Sequence, residues 1–293
     1  MYPASFEYLA PTTADEAVAL LQSHGEDAKI LAGGQSLIPL MKLRFAAPSV
    51  LIDINHVQDI SDQITAGPDG LRIGARVRHR ACERSEALHG RYGTLGAAAP
   101  QISDPIVRNQ GTVCGSVAHA DPQGDWGSAL MAMDGQVVAR SAKGERTVPI
   151  SEFFQGPLMT VLGPDELITE IRVPDPGPRS GGTYLKLERR VGDFATVAVA
   201  AHVTLSNGSI GRAGIALTGV GPANLRASAA EQALAGRAPD EAAITEAARL
   251  AAEAAQPRAD VRGSVEFKRN VVRVFTERAL RAAVQRAQAG EGG

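Results

Sequence analysis

The sequence predicts an α+β protein built from two units, on three observations. Near the N-terminus, helical patterns alternate with short apolar runs, which is typical of mixed helix and strand structure. Further along, short runs of apolar residues predict a second group of strands. A stretch rich in proline and glycine near residue 178 then separates this part from a renewed pattern of strands and helices. The length of 293 residues fits about two domains of ~150 residues each.

The N-terminal part begins with a helix capped by Thr13, which precedes apolar residues at helical spacing. A short strand over 29–32 then runs into Gly33-Gly34-Gln35-Ser36. A helix is predicted from Leu37 to Arg44, directly after that loop, and a second buried strand over 50–54.

The middle of the chain has a different texture. A strand that contains Gly70 and Gly74 is predicted over 70–75, and helices over 78–88 and 94–102. The long stretch 104–125 is rich in small residues, aspartate and proline, and its part 111–125 is predicted to be a loop. Two further strands are predicted over 135–140 and 167–174, and the alternation in the latter indicates a half-buried strand.

The stretch 174–182 is the predicted linker, because its composition cannot build a packed element. Beyond it, strands are predicted over 183–187, 194–205 and 210–217, with a hairpin turn at 206–209. Two helices follow, over 240–255 and 265–288, and the end of the chain, 290–293, is predicted to fray. One face of the last helix is predicted to consist of Phe267, Val271, Phe275, Ala279 and Ala282.

Charge and hydropathy exclude two classes of protein. The formal net charge is −2 and no basic stripe is apparent, so the sequence does not predict binding to nucleic acid. No apolar run approaches the ~20 residues needed to span a membrane. The N-terminus lacks a basic region followed by an apolar one, and a cytoplasmic location is therefore expected.

The two cysteines, Cys82 and Cys114, exclude further kinds of site. An iron–sulfur cluster takes about four protein ligands, so this chain cannot hold one alone, and two thiols make no disulfide framework. The six histidines are scattered without metal-ligand spacing, and no metal site is predicted. Cys82 is expected to be a small buried residue.

The loop 33–36 joins a strand to a helix and predicts an anion site. Glycines allow a sharp turn and a close approach of backbone to ligand, and a helix N-terminus presents unpaired amides. The loop lacks the spacing of a dinucleotide fingerprint and the Lys-Ser/Thr pair of a Walker loop. The alternative is a tight connection without a ligand.

The segment 111–125 is the second candidate. Small residues let backbone amides crowd around an anion, and Thr112 and Ser116 add hydroxyl donors. Asp125 is an acceptor suited to a sugar hydroxyl or a ring N–H. The alternative is a flexible surface loop.

Taken together, these segments resemble the FAD-binding medium subunit of the molybdenum hydroxylases, relatives of xanthine dehydrogenase and aerobic carbon monoxide dehydrogenase. The resemblance covers nearly the whole chain in the order of the family. It rests on the motifs Ala32-Gly33-Gly34-Gln35-Ser36-Leu37, Arg108-Asn109-Gln110-Gly111-Thr112-Val113-Cys114-Gly115-Ser116, Asp121-Pro122-x-x-Asp125, Asp165-Glu166-Leu167-Ile168, Tyr184-Leu185-Lys186-Leu187-Glu188-Arg189-Arg190 with Asp193-Phe194-Ala195, and Asp260-x-Arg262-Gly263-Ser264-x-Glu266-Phe267-Lys268-Arg269.

The resemblance implies a two-lobed FAD-binding domain of the vanillyl-alcohol-oxidase (PCMH) type over 1–176, with lobes of about 1–56 and 57–176. A smaller α+β C-terminal domain, of the CO dehydrogenase flavoprotein type, is implied over 177–289.

The resemblance also implies the residues that contact FAD. Segments 30–37 and 111–116 would wrap the pyrophosphate from two sides, and Ile102 would lie near the isoalloxazine. Asp125 would bond toward the adenosine or ribityl side, while Ile168 and Lys186 would complete the pocket. No catalytic side chain and no metal ligand is implied. The full set is Ile30, Leu31, Ala32, Gly33, Gly34, Gln35, Ser36, Leu37, Ile102, Gly111, Thr112, Val113, Cys114, Gly115, Ser116, Asp125, Ile168 and Lys186.

One departure from the family lies at 114–116, where Cys-Gly-Ser stands in place of a frequent Gly-Gly-Asn. The backbone at Cys114 must therefore accommodate a side chain, and Ser116 lacks the amide donor of Asn, so somewhat weaker FAD binding is expected. Cys114 either approaches the flavin or has a passive role.

Other neighbours of these motifs have two interpretations each. His119 either bonds covalently to flavin or hydrogen-bonds backbone, and Trp126 packs under the loop or anchors a neighbouring subunit. Arg189-Arg190 is a solvated face or a contact for the cofactor or a partner.

The function implied by the resemblance is that of an oxidoreductase subunit. Electrons would pass from [2Fe-2S] clusters of a small partner chain to FAD, and then to NAD, O2 or another acceptor. The substrate would be oxidised at a molybdenum cofactor on a large partner chain, within a dimer of heterotrimers. The alternatives are a stand-alone flavin oxidase or dehydrogenase and a scaffold without FAD.

Overall fold

The computed structural model describes residues 2–290, and a three-stranded parallel sheet opens the fold. The predicted fraying of 290–293 falls mostly outside the described residues, and Gly290 itself caps the last helix. The N-terminal strands lie in the order β1, β3, β2, and their bounds are β1 Glu7–Leu9, β2 Ala28–Leu31 and β3 Val50–Asp53. The helices of this part are α1 Ala14–His24 and α2 Leu37–Lys42.

The ends of these two helices follow from local chemistry. The Thr13 hydroxyl accepts a hydrogen bond from the Glu16 amide, and the Glu16 carboxylate accepts one from the Thr13 amide, which confirms the predicted cap. Helix α2 ends at Lys42, two residues before the predicted end. Arg44 has a φ of 64°, a left-handed conformation that cannot continue a helix.

A five-stranded antiparallel sheet forms the middle of the chain, in the order β4, β5, β10, β6, β7, and β8 and β9 form a short hairpin beside it. The strands are β4 Ile64–Gly67, β5 Gly70–Gly74, β6 Gln136–Ser141, β7 Gly144–Pro149, β8 Phe154–Gly156, β9 Met159–Thr160 and β10 Leu167–Pro174. The accompanying helices are α3 His79–Arg84, α4 Gly93–Ala98, α5 Pro105–Gln110, α6 Val113–His119, α7 Asp125–Met131 and α8 Ile150–Phe153. The helices predicted over 78–88 and 94–102 are shorter than expected, since each gives way to a 3-10 turn.

The predicted loop 111–125 is wrong, because this stretch contains α6 and the start of α7, and α5 precedes it. Asp104 and Thr112 cap α5 and α6 with their side chains. Val113 and Val117 bury one face of α6 completely, or nearly so. The small residues between them allow close packing of a short helix, although a composition of this kind is also typical of loops.

A four-stranded antiparallel sheet and three helices form the C-terminal part. The strands, in spatial order, are β11 Ser180–Leu187, β12 Val197–Ser206, β13 Ser209–Thr218 and β14 Leu225–Arg226. The helices are α9 Ser228–Leu234, α10 Glu241–Ala254 and α11 Val265–Ala289. Asn207 and Gly208 both have positive φ, 51° and 78°, as the predicted two-residue hairpin turn requires.

The predicted linker 174–182 is too long, since β10 reaches Pro174 and β11 begins at Ser180. A Cβ added at Gly181 would lie 2.6 Å from the Ala283 carbonyl oxygen of α11, and one at Gly182 would lie 2.7 Å from His202 Nδ1. These glycines therefore serve close packing within a buried strand. Strand β12 also starts later than predicted, because Phe194 is 51% exposed.

The predicted face of α11 is partly wrong. Val271 and Ala279 are buried, but Phe267 is 46% exposed and Phe275 and Ala282 are only partly buried. The helix is turned so that a neighbouring row packs against the sheet, and the other residues of that row are Lys268, Val272, Thr276, Leu280, Ala283, Val284 and Ala287. Helical spacing alone permits either row.

Two hydrophobic cores lie on opposite faces of the C-terminal sheet. Tyr184, Ala198 and Ala200 belong to the core of the N-terminal and middle sheets. Val197 and Val199 alternate with them and pack against the C-terminal helices. One face of this sheet therefore closes the core of the preceding part of the chain. Among residues 2–290, no helix is both long and apolar enough to cross a membrane.

Candidate functional site

The two glycine segments predicted to bind a pyrophosphate lie backbone against backbone. A Cβ added at Gly33 would collide with the carbonyl oxygen of Gln110 and would lie 2.6 Å from the Cα of Gly111. Only glycine at position 33 permits this approach. Gly34 has a φ of 70°, so the turn itself also requires glycine.

A third segment, which follows β5, holds these two together. The His79 amide donates to the Gly111 carbonyl at 2.9 Å, and the Val113 amide donates to the Val77 carbonyl at 3.2 Å. The Arg78 guanidinium donates to the Gln110 carbonyl. This bridge ties the second glycine segment to the middle sheet.

Asn55 completes the connection to the first segment. Its side-chain nitrogen Nδ2 donates to the Ala32 carbonyl at 2.9 Å, and its side-chain oxygen accepts from the Arg78 guanidinium at 2.5 Å. Asp53 anchors Asn55 and itself accepts from the Tyr8 hydroxyl at 2.6 Å. The chain of bonds from Ala32 through Asn55 and Arg78 to Gln110 therefore fixes the spacing of the two segments.

A cavity of about 350 Å³ opens beside the first segment. Its lining residues are Leu31, Ala32, Gly33, Gly34, Gln35, Ile38, Pro39, Lys42 and Asn55. The first helical hydrogen bond runs from the Ile38 amide to the Gly34 carbonyl, so the amides of 35–37 have no partner within the helix. Unpaired amides and one lysine suit an anionic group.

The second segment turns its side chains inward. Val113 and Cys114 are buried in the core, and the Thr112 hydroxyl accepts a hydrogen bond from the Gly115 amide. Gly115 is exposed and Ser116 partly exposed. Cys114 lies in a regular helical turn, so the backbone there accommodates its side chain. Burial raises the pKa of the Cys114 thiol well above its usual value, which favours the passive role.

A buried polar cluster joins the middle helices to the C-terminal sheet. Asp125, the first residue of α7, accepts a hydrogen bond from the Tyr184 hydroxyl at 2.7 Å and another from Lys186 Nζ at 3.1 Å. Lys186 Nζ also donates to the Gln101 carbonyl at 2.8 Å, and its side chain is 1% exposed. Asp125 and Lys186, predicted separately, are therefore in direct contact.

Burial dominates the electrostatics of this cluster. It raises the pKa of the Asp125 carboxyl, and the charge of Lys186 opposes that rise. Burial, with the nearby Asp125, also raises the pKa of the Tyr184 hydroxyl, which stays protonated and donates. The cluster contains an ion pair and a neutral donor.

Ile102 and Ile168 are both buried. Arg108 positions the first, since its guanidinium donates to the carbonyls of Ile102 and Ser103 at 3.0 and 2.9 Å. Ile168 lies in β10, against which α6 packs. Ile102 adjoins the Asp125 cluster through its neighbour Gln101.

His79 and Trp126 form the packed base of the second segment. Trp126 is buried, and its Nε1 donates to His79 Nδ1 at 3.0 Å. His79 adjoins Gly111, so Trp126 packs inside the chain behind His79 and does not project toward a neighbouring subunit. Arg189 and Arg190, in contrast, are exposed. Burial, followed by the charges of Arg108 and Arg78, lowers the pKa of His79 to about 4.

This histidine predicts a pH dependence of stability. The unfolded chain takes up a proton near pH 6.5 and the folded chain only near pH 4, so stability falls as the pH drops through that interval. Between pH 7 and pH 5 we expect His79 to lower the free energy of unfolding by about 2 kcal/mol. Chemical denaturation at both pH values measures it.

The matched variant is His79→Gln, which keeps an acceptor for Trp126 but cannot be protonated in this range. Between pH 7 and pH 5 its free energy of unfolding should fall by about 2 kcal/mol less than that of the wild type. His202, whose pKa burial lowers to about 3, remains in both proteins and contributes a similar fall. Equal losses in the two proteins would contradict this account of His79.

Comparison of the sequence with known protein families identifies the family of this chain. Residues 4–176 match the family described as the FAD binding domain in molybdopterin dehydrogenase, and residues 182–283 match the CO dehydrogenase flavoprotein C-terminal domain. The chain belongs to the FAD-binding medium subunits of the molybdenum hydroxylases. The resemblance seen in the motifs and the α+β fold class are confirmed.

Individual relatives are similar to this medium subunit over nearly its whole length. It is 40% identical to the carbon monoxide dehydrogenase medium chain of Hydrogenophaga pseudoflava, over 97% of this chain and 98% of that one. It is 37% identical to the 6-hydroxypseudooxynicotine dehydrogenase complex subunit alpha of Paenarthrobacter nicotinovorans, over 98% and 97%. A solved carbon monoxide dehydrogenase of H. pseudoflava, described as lacking the Mo-pyranopterin moiety of its molybdenum cofactor, superposes with a TM-score of 0.94 at 42% identity, covering 98% and 99%.

The medium subunit has a site that fits FAD. Gly33 and Gly111 allow two backbone segments to approach each other beside a cavity with free amides, and the Asp125 cluster lies at the junction with the C-terminal sheet. The motifs did not point to Arg78 or Asn55, which reach the site from other segments. Tyr184 stands two residues before Lys186, and this strand alternation was the one available signal that both face the site.

Proposed function

We propose that this medium subunit is the flavin-carrying electron-transfer component of a multi-subunit molybdenum hydroxylase. It takes electrons from [2Fe-2S] clusters of a small partner chain and passes them to an external acceptor such as NAD or O2. Substrate is oxidised at the molybdenum cofactor of a large partner chain. We further propose a dimer of heterotrimers in the cytoplasm.

The observation that carries the proposal is the pairing of the two glycine segments across the Asn55–Arg78 bridge. These segments supply amides to a pyrophosphate. Lys42 lines the cavity and Arg78 bonds to Gln110 and Asn55, so both place positive charge near it. FAD, when bound, supplies the capacity to accept two electrons and release them singly or in pairs. The protein supplies orientation and shielding, and no side chain acts as acid or base.

The proposed FAD contacts are those implied by the sequence motifs. The segments 30–37 and 111–116 hold the pyrophosphate, Ile102 lies near the isoalloxazine, and Asp125, Ile168 and Lys186 complete the pocket. Because the side chains of Val113 and Cys114 are buried, their proposed contribution comes from backbone atoms. The two units proposed for the chain, 1–176 and 177–289, are supported by the separate family matches to 4–176 and 182–283.

The need for partner chains follows from the cysteines. This chain has two, both buried, whereas an iron–sulfur cluster takes about four protein ligands. The clusters that feed the flavin therefore belong to another polypeptide. The names of the relatives support this, since one is a medium chain and another a complex subunit.

The test is purification of the tagged chain from its native host, followed by anaerobic addition of the substrate of the complex. We expect two further subunits to co-purify, and the flavin absorbance to bleach in the complex but not in the isolated, FAD-loaded chain.

Two results would contradict the proposal. Bleaching of the isolated chain by substrate would indicate a stand-alone flavin oxidase or dehydrogenase. An isolated chain that stays colourless after incubation with FAD and dialysis would indicate a scaffold.

A further inference from the structure

Glu188 lies immediately beyond the end of β11, two residues after Lys186. One of its carboxylate oxygens, Oε2, is buried and has no hydrogen-bond partner within residues 2–290. Lys186 Nζ is 3.6 Å away, which is an ionic contact but too long for a hydrogen bond. The side chain as a whole is 23% exposed, so the carboxylate places one oxygen inward.

A buried carboxylate oxygen without a donor costs free energy, and in folded proteins such atoms nearly always have a partner. The neighbours of Glu188 do not supply one. Lys186 uses two of its three N–H groups on the Gln101 carbonyl and Asp125, and the third is too far from Oε2, at 3.6 Å, for a hydrogen bond. The Tyr184 hydroxyl donates to Asp125. A donor at hydrogen-bond distance must therefore come from outside residues 2–290, either from water or from a bound ligand.

The charges of the cluster indicate what kind of donor it is. Two carboxylates, Asp125 and Glu188, share the single ammonium of Lys186, which leaves excess negative charge in a buried place. A phosphate is repelled there, and it is attracted to the glycine segments with Arg78 and Lys42. A neutral N–H or O–H group suits the position beside Glu188.

We propose that Glu188 contacts the bound cofactor, its Oε2 accepting a hydrogen bond from an N–H or O–H group in the flavin and ribityl portion of FAD. This rests on the proposed function, because it takes FAD as the ligand. It assigns the acidic end of the site to the donor-bearing part of the cofactor and the glycine segments to its pyrophosphate.

The experiment compares FAD affinity of the full-length apo-chain by titration of flavin fluorescence. We expect Glu188→Ala to weaken binding by about tenfold to a hundredfold, the range for a hydrogen bond to a charged group. Glu188→Gln, which keeps the shape and a weaker acceptor, should fall between. The control is Glu277→Ala, since Glu277 is comparably buried, at 17% exposure, but pairs with Arg273 on α11. It should bind FAD like the wild type.

FAD analogues distinguish the donor and separate contact from a general effect on the fold. If the donor is the ring N–H, an FAD analogue methylated there should bind the wild type more weakly than FAD does. It should bind Glu188→Ala almost as well as FAD does, because that variant already lacks the hydrogen bond. If the donor is a ribityl hydroxyl, an analogue without these hydroxyls should behave in this way instead. The analogue that behaves so identifies the donor. Unchanged FAD affinity in both Glu188 variants, with a wild type that binds FAD, would overturn this inference alone. A wild type that does not bind FAD would overturn the proposed function with it.

Discussion

Gly33→Ala is expected to abolish retention of FAD during purification and to weaken its binding by about tenfold to a hundredfold. The added methyl group would meet the Gln110 carbonyl and lie 2.6 Å from the Gly111 Cα, both of them backbone atoms that cannot rotate away. Overpacking of this kind costs about 1–3 kcal/mol, and separation of the two segments relieves it. The flavin-to-protein ratio and the FAD dissociation constant measure the effect.

The matched control is Gly67→Ala, at the end of β4. There an added Cβ meets nothing within 4 Å, and the backbone is not left-handed. This variant should retain flavin and stability. A Gly33→Ala protein that is folded and carries as much flavin as the control would show that FAD does not depend on the contact between the two segments.

Asp125→Ala is expected to lower the free energy of unfolding by about 3 kcal/mol, because the buried ammonium of Lys186 loses its hydrogen-bonded carboxylate and keeps only the longer, 3.6 Å contact with Glu188. The side chain of Lys186 is 1% exposed and cannot reach water without moving β11. The Tyr184 hydroxyl would lose its acceptor as well. Denaturant titration of the apo-protein measures this loss separately from any effect on the cofactor.

A double variant, Asp125→Asn with Lys186→Met, provides the control. The amide oxygen of Asn still accepts from Tyr184, and the buried ammonium is gone. Glu188 loses its 3.6 Å contact with Lys186, but its side chain is 23% exposed and can be hydrated. We expect the double variant to regain most of the stability lost in Asp125→Ala. If it is as unstable as Asp125→Ala, the ion pair is not the source of the effect.

Where local chemistry decides the structure, the sequence was sufficient. The Thr13 cap, the Asn207-Gly208 turn and the strand over 167–174 each depend on residues within a few positions of one another, and all three are present. The α+β class followed from such elements. The sheet order joins strands far apart in the chain, as β5 joins β10, and no local pattern contains that pairing.

Glycine and alanine account for the main errors. In 111–125 and 180–182 small residues look like loop or linker, yet here they allow helices and strands to pack closely. The space that a missing side chain leaves is defined by its neighbours, such as Ala283 beside Gly181. Those neighbours are remote in sequence.

In the candidate site, too, the residues could be predicted from the sequence but their contacts could not. Motifs pointed to Gly33, Gly111, Asp125 and Lys186 as separate positions, and the contacts of Gly33 with Gly111 and of Asp125 with Lys186 appear only in three dimensions. Arg78 was assigned to the start of a helix, because nothing in its surroundings indicates a bridge to Gln110.

The Asp125 cluster also sets an order of events during synthesis. The ribosome releases the glycine segments and Asp125 well before Tyr184 and Lys186, which come from the last 110 residues of the 293-residue chain. A nascent chain that ends before β11 presents an incomplete pocket with an unpaired carboxylate. Loading of the cofactor is thus expected only after β11 has been synthesised, and a chain truncated before β11 should not retain FAD.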